Sequence, residues 1–221
     1  MTNPLAALGR FVRPVQARSP RCRLCRQPIA ADDDHHVHVV DRQDRQILCA
    51  CETCWRLLAQ PGAGGDRYRA VPTRVVSDPA VLLSETDWAV LGIPVRLAFV
   101  FFNSELRHWT AFCPSPAGAT EMEVPSDAWG EVSLNVPLLD EVQPDVEALL
   151  VYGGRSPVAG GGAGNLEYFL VPVDLCYRLT ARLRQHWSGF SGGDDAWREI
   201  DQFFAALRGR ARALPLQGSA A

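Results

Sequence analysis

Four cysteines in two pairs carry the clearest chemistry in this chain. Cys22-Arg23-Leu24-Cys25 and Cys51-Glu52-Thr53-Cys54 are separated by 25 residues. Each CxxC turn presents two sulfurs to one ion, and two such turns complete a tetrahedron around zinc. Iron fits the same four-sulfur geometry and would make the site an electron carrier. Four thiolates around a divalent ion leave a local charge of about −2, which gives the nearby Arg21, Arg23, Arg26 and Arg56 an electrostatic reason to be there. In a chain read as cytoplasmic, disulfides between these cysteines are disfavoured. Cys49, two residues before Cys51, is a fifth thiol. A ligand role would make the site more labile, but its apolar neighbours read as those of a buried strand residue.

The residues between the two pairs must return the chain to the metal. His35-His36-Val37-His38-Val39-Val40 and Gln46-Ile47-Leu48-Cys49 read as two strands joined by a polar turn near residues 41–44, which makes a hairpin. Alternation puts His36 and His38 on one face, opposite Val37 and Val39, an arrangement that offers two nitrogens to a second metal. Beside Asp32-Asp33-Asp34 they read instead as solvated histidines on an exposed strand, so neither these two nor His35 are counted as ligands. The second CxxC opens the apolar helix Trp55-Arg56-Leu57-Leu58-Ala59. The unit therefore runs knuckle, hairpin, knuckle, helix, and is similar to a treble-clef or zinc-ribbon finger.

Beyond the finger no catalytic constellation assembles. Cys113 ends a strand and Cys176 flanks a helical stripe, so both read as small core residues. His108 and His186 have no local acid partner. Gly160-Gly161-Gly162-Ala163-Gly164 lacks GxGxxG spacing and precedes a strand, so it reads as a flexible hairpin tip. Glu121, Glu123 and Asp127 could pair as carboxylates, but nothing in the sequence sets their separation.

The elements around these residues divide the chain. A basic arm over 1–19 precedes a four-cysteine module over 20–60. The breaker run 61–66 marks a boundary, 67–210 forms the main domain, and 211–221 reads as a flexible tail. In the main domain, Ser84 caps a short helix that ends at Gly92. Val95–Phe102 with His108–Cys113, and Val146–Tyr152 with Glu167–Val173, predict two antiparallel pairs. Residues 126–134 read as a helix. Leu175, Leu179, Leu183 and Trp187 make one helical stripe, and Trp197, Ile200, Phe203, Phe204 and Leu207 make another. The expected class is α+β, with an antiparallel sheet covered on one face by helices.

All 22 basic residues are arginine. The absence of lysine excludes GxxxxGK phosphate loops, Schiff-base chemistry and the kinase lysine. Residues 1–26 hold six arginines and no acid, so the rest, with 16 arginines against 25 acids, carries −9 and the chain −3. An acidic body with a pI of about 5.9 argues against nucleic acid as a partner. The longest apolar run, Leu97–Phe102, is far shorter than a membrane span, and the chain reads as cytoplasmic.

The blocks CRLC, ILCACETC, GDRYRAVP, LGIPVRLAF, PSPAGATE, PDVEALL, YFLVPVDLCYRL and QHWSGFSGGDDAWREIDQFFAAL occur in order over residues 20–208. In them the chain resembles an uncharacterised bacterial family, chiefly actinobacterial, encoded beside uptake NiFe-hydrogenase genes. The resemblance includes Cys22, Cys25, Cys49, Cys51 and Cys54, while the loop from Gly153 to Gly164 is longer here. It implies an accessory protein that contacts a hydrogenase subunit or maturation protein. The resulting expectation is a non-catalytic zinc protein ligated by Cys22, Cys25, Cys51 and Cys54. The alternatives are a rubredoxin-like iron protein serving the hydrogenase and, behind it, a nucleic-acid-binding finger.

Overall fold

The computed structural model describes residues 20–29, 36–65, 67–78, 80–154, 166–189 and 192–214. The arm over 1–19, the acidic run with His35, the Gly-rich run and the residues after 214 lie outside the described residues. The fold is α+β, with two sheets in which antiparallel pairing predominates.

The first sheet grows from the expected hairpin. Strands β1 (Val37–Asp41) and β2 (Gln46–Ala50) pair antiparallel, with His38 opposite Cys49 and Val40 opposite Ile47. The helix α1 (Glu52–Leu58) follows. The breaker run then returns the chain as β3 (Tyr68–Ala70), which joins the other edge of β1. These three residues were expected beyond the boundary, yet they complete the small sheet. Three residues carry too little periodicity to declare which sheet they will join.

The second sheet has seven strands among the described residues. They are β4 (Val76–Ser77), β5 (Leu97–Asn103), β6 (His108–Ser115), β7 (Gly118–Glu123), β8 (Glu147–Tyr152), β9 (Glu167–Pro172) and β10 (Arg212–Ala213). Their order is β10-β4-β9-β8-β5-β6-β7, antiparallel except where β10 meets β4. Arg212 and Ala213 are thus held in the sheet, which corrects the start of the expected flexible tail.

Alternation along these strands feeds two cores. Phe99, Phe112, Leu150 and Phe169 point to one face, where α4 (Val173–His186) and α5 (Gly193–Arg210) cover them with Leu179, Leu183, Ile200, Phe203, Phe204 and Leu207. Ala98, Val100, Ala111, Leu149 and Leu170 point to the other face, against Trp88 of α2 (Glu85–Val90) and Trp129 and Val132 of α3 (Ser126–Ser133). Helices therefore cover both faces, not one. The signature lies in β8, EALLVY, in which every residue is buried; a strand apolar on both sides has no solvated face to show.

The local signals at α2 hold. Ser84 accepts a hydrogen bond from the Asp87 backbone N–H at 3.0 Å, and Gly92 takes a φ of +68° just past the helix. Ser84→Ala is expected to lower stability by about 1 kcal/mol, read from a urea midpoint.

The small sheet docks on the large one through Val40, Val71, Val146 and Val173, with Ile47 and Phe101 packed beside them. At the margin Arg42 Nε lies 3.0 Å from an Asp145 carboxylate oxygen, and Ser104 donates its hydroxyl proton to the same carboxylate at 2.6 Å. The Arg69 guanidinium donates to the Pro144 carbonyl.

Candidate metal centre

The first cysteine pair lies on a knuckle built by backbone hydrogen bonds. The Cys22 N–H donates to the Gln27 carbonyl at 2.8 Å, and the Arg26 N–H donates back to Cys22 at 2.9 Å. Arg26 adopts a φ of +66°, the left-handed turn that closes the knuckle. The Arg23 N–H donates to the Cys49 carbonyl, which ties the knuckle to the hairpin.

The second pair straddles the start of α1. Cys51 is the N-cap residue and Cys54 lies in the first turn, so the helix presents both sulfurs at one end. Trp55 fixes that end: its indole N–H donates to the Val71 carbonyl at 2.7 Å. Knuckle, hairpin and helix follow one another in the order of a treble-clef finger. Its interior is small, with Cys22, Val39 and Ala50 buried and Leu24, Ile29, Trp55, Leu58 and Tyr68 packed around them.

The sulfurs of Cys22, Cys25, Cys51 and Cys54 all lie within 4.8 Å of one another, with Cys25 and Cys51 at 3.6 Å. A tetrahedron with metal–sulfur bonds of about 2.3 Å has edges of about 3.8 Å, so the set fits zinc or iron. Burial pushes the Cys22 thiol up, but the backbone N–H groups of Cys25, Cys51 and Leu24 converge on its sulfur and bring it down to about 6. Cys54 moves the opposite way, raised by burial and by hydrogen bonds to the other three sulfurs. Without an ion Cys22 thus favours the thiolate, whereas Cys54 resists it. A divalent cation bound there would remove that resistance and expel protons.

The arginines expected beside the sulfurs are partly engaged elsewhere. Arg56 pairs with Glu52 along α1 on the surface, and Arg21 donates to the Arg26 carbonyl.

Cys49 belongs to a different group. On β1 and β2, Val37, Val39 and Ala50 face the four sulfurs, whereas His38, Val40, Ile47 and Cys49 lie on the alternate positions. The ligand atoms of His36, His38 and Cys49 lie within 4.8 Å of one another. The expected solvated histidines are corrected here: both are half-buried, and the His38 side chain is only 13% exposed. Its Nδ1–H donates to the Asp174 carboxylate on α4 at 2.7 Å. Sequence reasoning missed Asp174 because nothing local links positions 136 residues apart. The parity of Cys49 relative to Ala50 was the readable signal for its face.

Among the described residues no further group of three metal-ligating side chains forms. Burial alone pushes the Cys113 thiol up to about 11, and Cys176, on the buried face of α4, is raised well above its ordinary value. Glu121 lies on β7 and Asp127 on α3, separate elements.

Asp41, at the end of β1, supports the hairpin. Burial pushes its carboxyl up, but the Arg67 guanidinium, at 2.7 and 3.0 Å, and the Asp44 N–H outweigh that and hold it below its usual range. A carboxyl depressed in the fold stabilises fully above its unfolded value of about 3.9 and loses that contribution as pH falls through its folded value. Asp41→Asn is therefore expected to be less stable than wild type at pH 7, with the gap closing below about pH 4. Denaturation midpoints at pH 7 and pH 3 check this.

No helix among the described residues is long and apolar enough to cross a membrane. No curated protein and no solved structure matches the chain. A family model does match, over residues 21–211, so it takes in the knuckle, the hairpin, both sheets except β10, and the C-terminal helices. The chain belongs to the Family of unknown function (DUF5947).

Proposed function

We propose that Cys22, Cys25, Cys51 and Cys54 hold one structural zinc ion, and that the chain acts without catalysis, as an accessory protein working through protein contacts. The observation that carries this reading is the closed set of four sulfurs within 4.8 Å. All four positions of a tetrahedron come from the protein, which is the composition of structural zinc sites. A zinc ion bound there supplies a cross-link between the knuckle and α1. The chain's own residues do the rest: Trp55 seats the helix end, Val40 and Val71 dock the sheet, and Arg42 pins its margin.

The gene neighbourhood of the family the sequence resembles names the partner to test, a NiFe-hydrogenase subunit or one of its maturation proteins. A second reading, iron and electron transfer, is favoured by one feature: Cys25 is exposed, which leaves a ligand sulfur at the surface.

Metal analysis with a visible spectrum on anaerobically purified protein decides between them. One colourless zinc per chain is the expected result. Coloured iron protein would replace this reading with electron transfer, and protein that binds neither metal would end both. Affinity purification from native lysate is expected to recover a hydrogenase component; recovery of none counts against that partner.

A further inference from the structure

We propose that His36, His38 and Cys49 form a second metal site, for zinc or a similar borderline divalent ion, whose fourth coordination position opens to a cleft between the hairpin and α4. The site does not depend on the four-cysteine reading, because it lies on the alternate face of the hairpin.

Three observations converge on it. The ligand atoms of the three residues lie within 4.8 Å of one another. Strand register produces this: His38 stands directly across from Cys49, and His36, two residues before His38, shares its side and brings its ring centroid to 4.7 Å. Two imidazoles and a thiolate suit borderline ions such as zinc.

His38 also carries an orienting partner. Its Nδ1–H donates to Asp174 at 2.7 Å, which fixes the tautomer and leaves Nε2 as the nitrogen for a metal. A carboxylate behind a ligating imidazole is the usual outer partner of a metal-binding histidine, and it raises the ligand's basicity.

The third observation is the cleft. His36 and His38 line a cavity of about 420 Å³ with Arg45, Asp174, Tyr177 and Arg178. Three protein ligands leave a divalent ion one position to fill, and the cavity supplies room for it. Thiolate and Asp174 together balance the ion's two charges. Arg45 and Arg178 border the cleft, and the open position takes water or an oxygen donor. Such a site holds its ion less tightly than four thiolates and exchanges it.

The test uses the full-length protein saturated with zinc and then challenged with a mild chelator. Wild type is expected to bind two equivalents, one released readily and one retained. His36→Ala and His38→Ala are each expected to keep the retained equivalent and lose the exchangeable one. Asp174→Asn is expected to weaken the exchangeable equivalent about 10–100-fold. His36→Ala leaves the His38–Asp174 bond in place, so it remains decisive if His38→Ala disturbs docking. Cobalt absorption from the four-sulfur site reports that each variant is folded. A single equivalent in wild type at saturation, or two equivalents persisting in His36→Ala, overturns the proposal. Loss of the retained equivalent in wild type would strike the four-cysteine reading instead.

Discussion

The Cys22→Ser/Cys54→Ser double variant is expected to lose its tightly held metal and the order of β1, β2 and α1, while the seven-stranded sheet stays folded. The finger's interior comprises Cys22, Val39 and Ala50 with a few half-buried neighbours, far too little apolar surface to hold itself together. Structural zinc contributes about 10–16 kcal/mol of apparent binding free energy in isolated fingers, and in such units binding energy is folding energy. The variant removes one sulfur from the knuckle and one from α1, so neither half keeps two ligands. The large sheet carries separate cores on its two faces, which the substitutions leave untouched. Amide hydrogen exchange read segment by segment should show protection collapsing in β1, β2 and α1 and persisting in β8 and α4. Full protection of residues 36–58 in metal-free variant protein would show that docking through Val40 and Val71 holds the finger unaided, and would refute a structural role for the metal.

Phe204→Ala is expected to cost about 4 kcal/mol with no change in metal content. Phe204 is fully buried on α5, stacked on Tyr152 at 4.1 Å between centroids, with Phe203 at 5.5 Å and Phe169 at 6.1 Å. Removing the ring leaves a cavity whose walls belong to β8, β9 and α5. Two of those walls are sheet strands bonded on both sides, so the site cannot collapse onto itself and the cost falls in the middle of the usual range of about 3–5 kcal/mol. Phe204→Leu, which keeps much of the volume, should cost clearly less. Denaturant midpoints with matched slopes measure both. A cost below about 1 kcal/mol would mean that α5 packs more loosely on the sheet than its burial implies.

What the sequence made legible follows the reach of its signals. The CxxC pairs, the Ser84 cap and the leucine stripe of α4 were readable because each acts within one or two turns of its own element. The strands flanking the Gly-rich loop were readable as apolar runs, and β8 and β9 do pair. β7 escaped notice because GATEME has neither β-branched density nor clean alternation; it is a strand because β6 offers it a bonded edge. β10 is two residues long and pairs with β4, a partner far away in sequence. The four-cysteine cluster was visible in its spacing, whereas the His36–His38–Cys49 group depends on a register between strands and on Asp174, contributed by the far end of the chain.

The hairpin's two faces also impose an order in time. Cys22 through Cys54, and the strands between them, leave the ribosome before any strand of the large sheet, and their contacts are local in sequence, the kind that form fast. If the four sulfurs hold an ion as proposed, the finger can close on it while most of the chain is unmade. Asp174 emerges long afterwards on α4, and it reaches His38 only once β8 and β9 have paired and the helix has packed down. On that reading the chain matures in two stages: an early one that needs only thiols and metal, and a late one that completes the histidine face when the whole protein is assembled. A nascent chain stalled after β3 would already be competent for the first and incapable of the second.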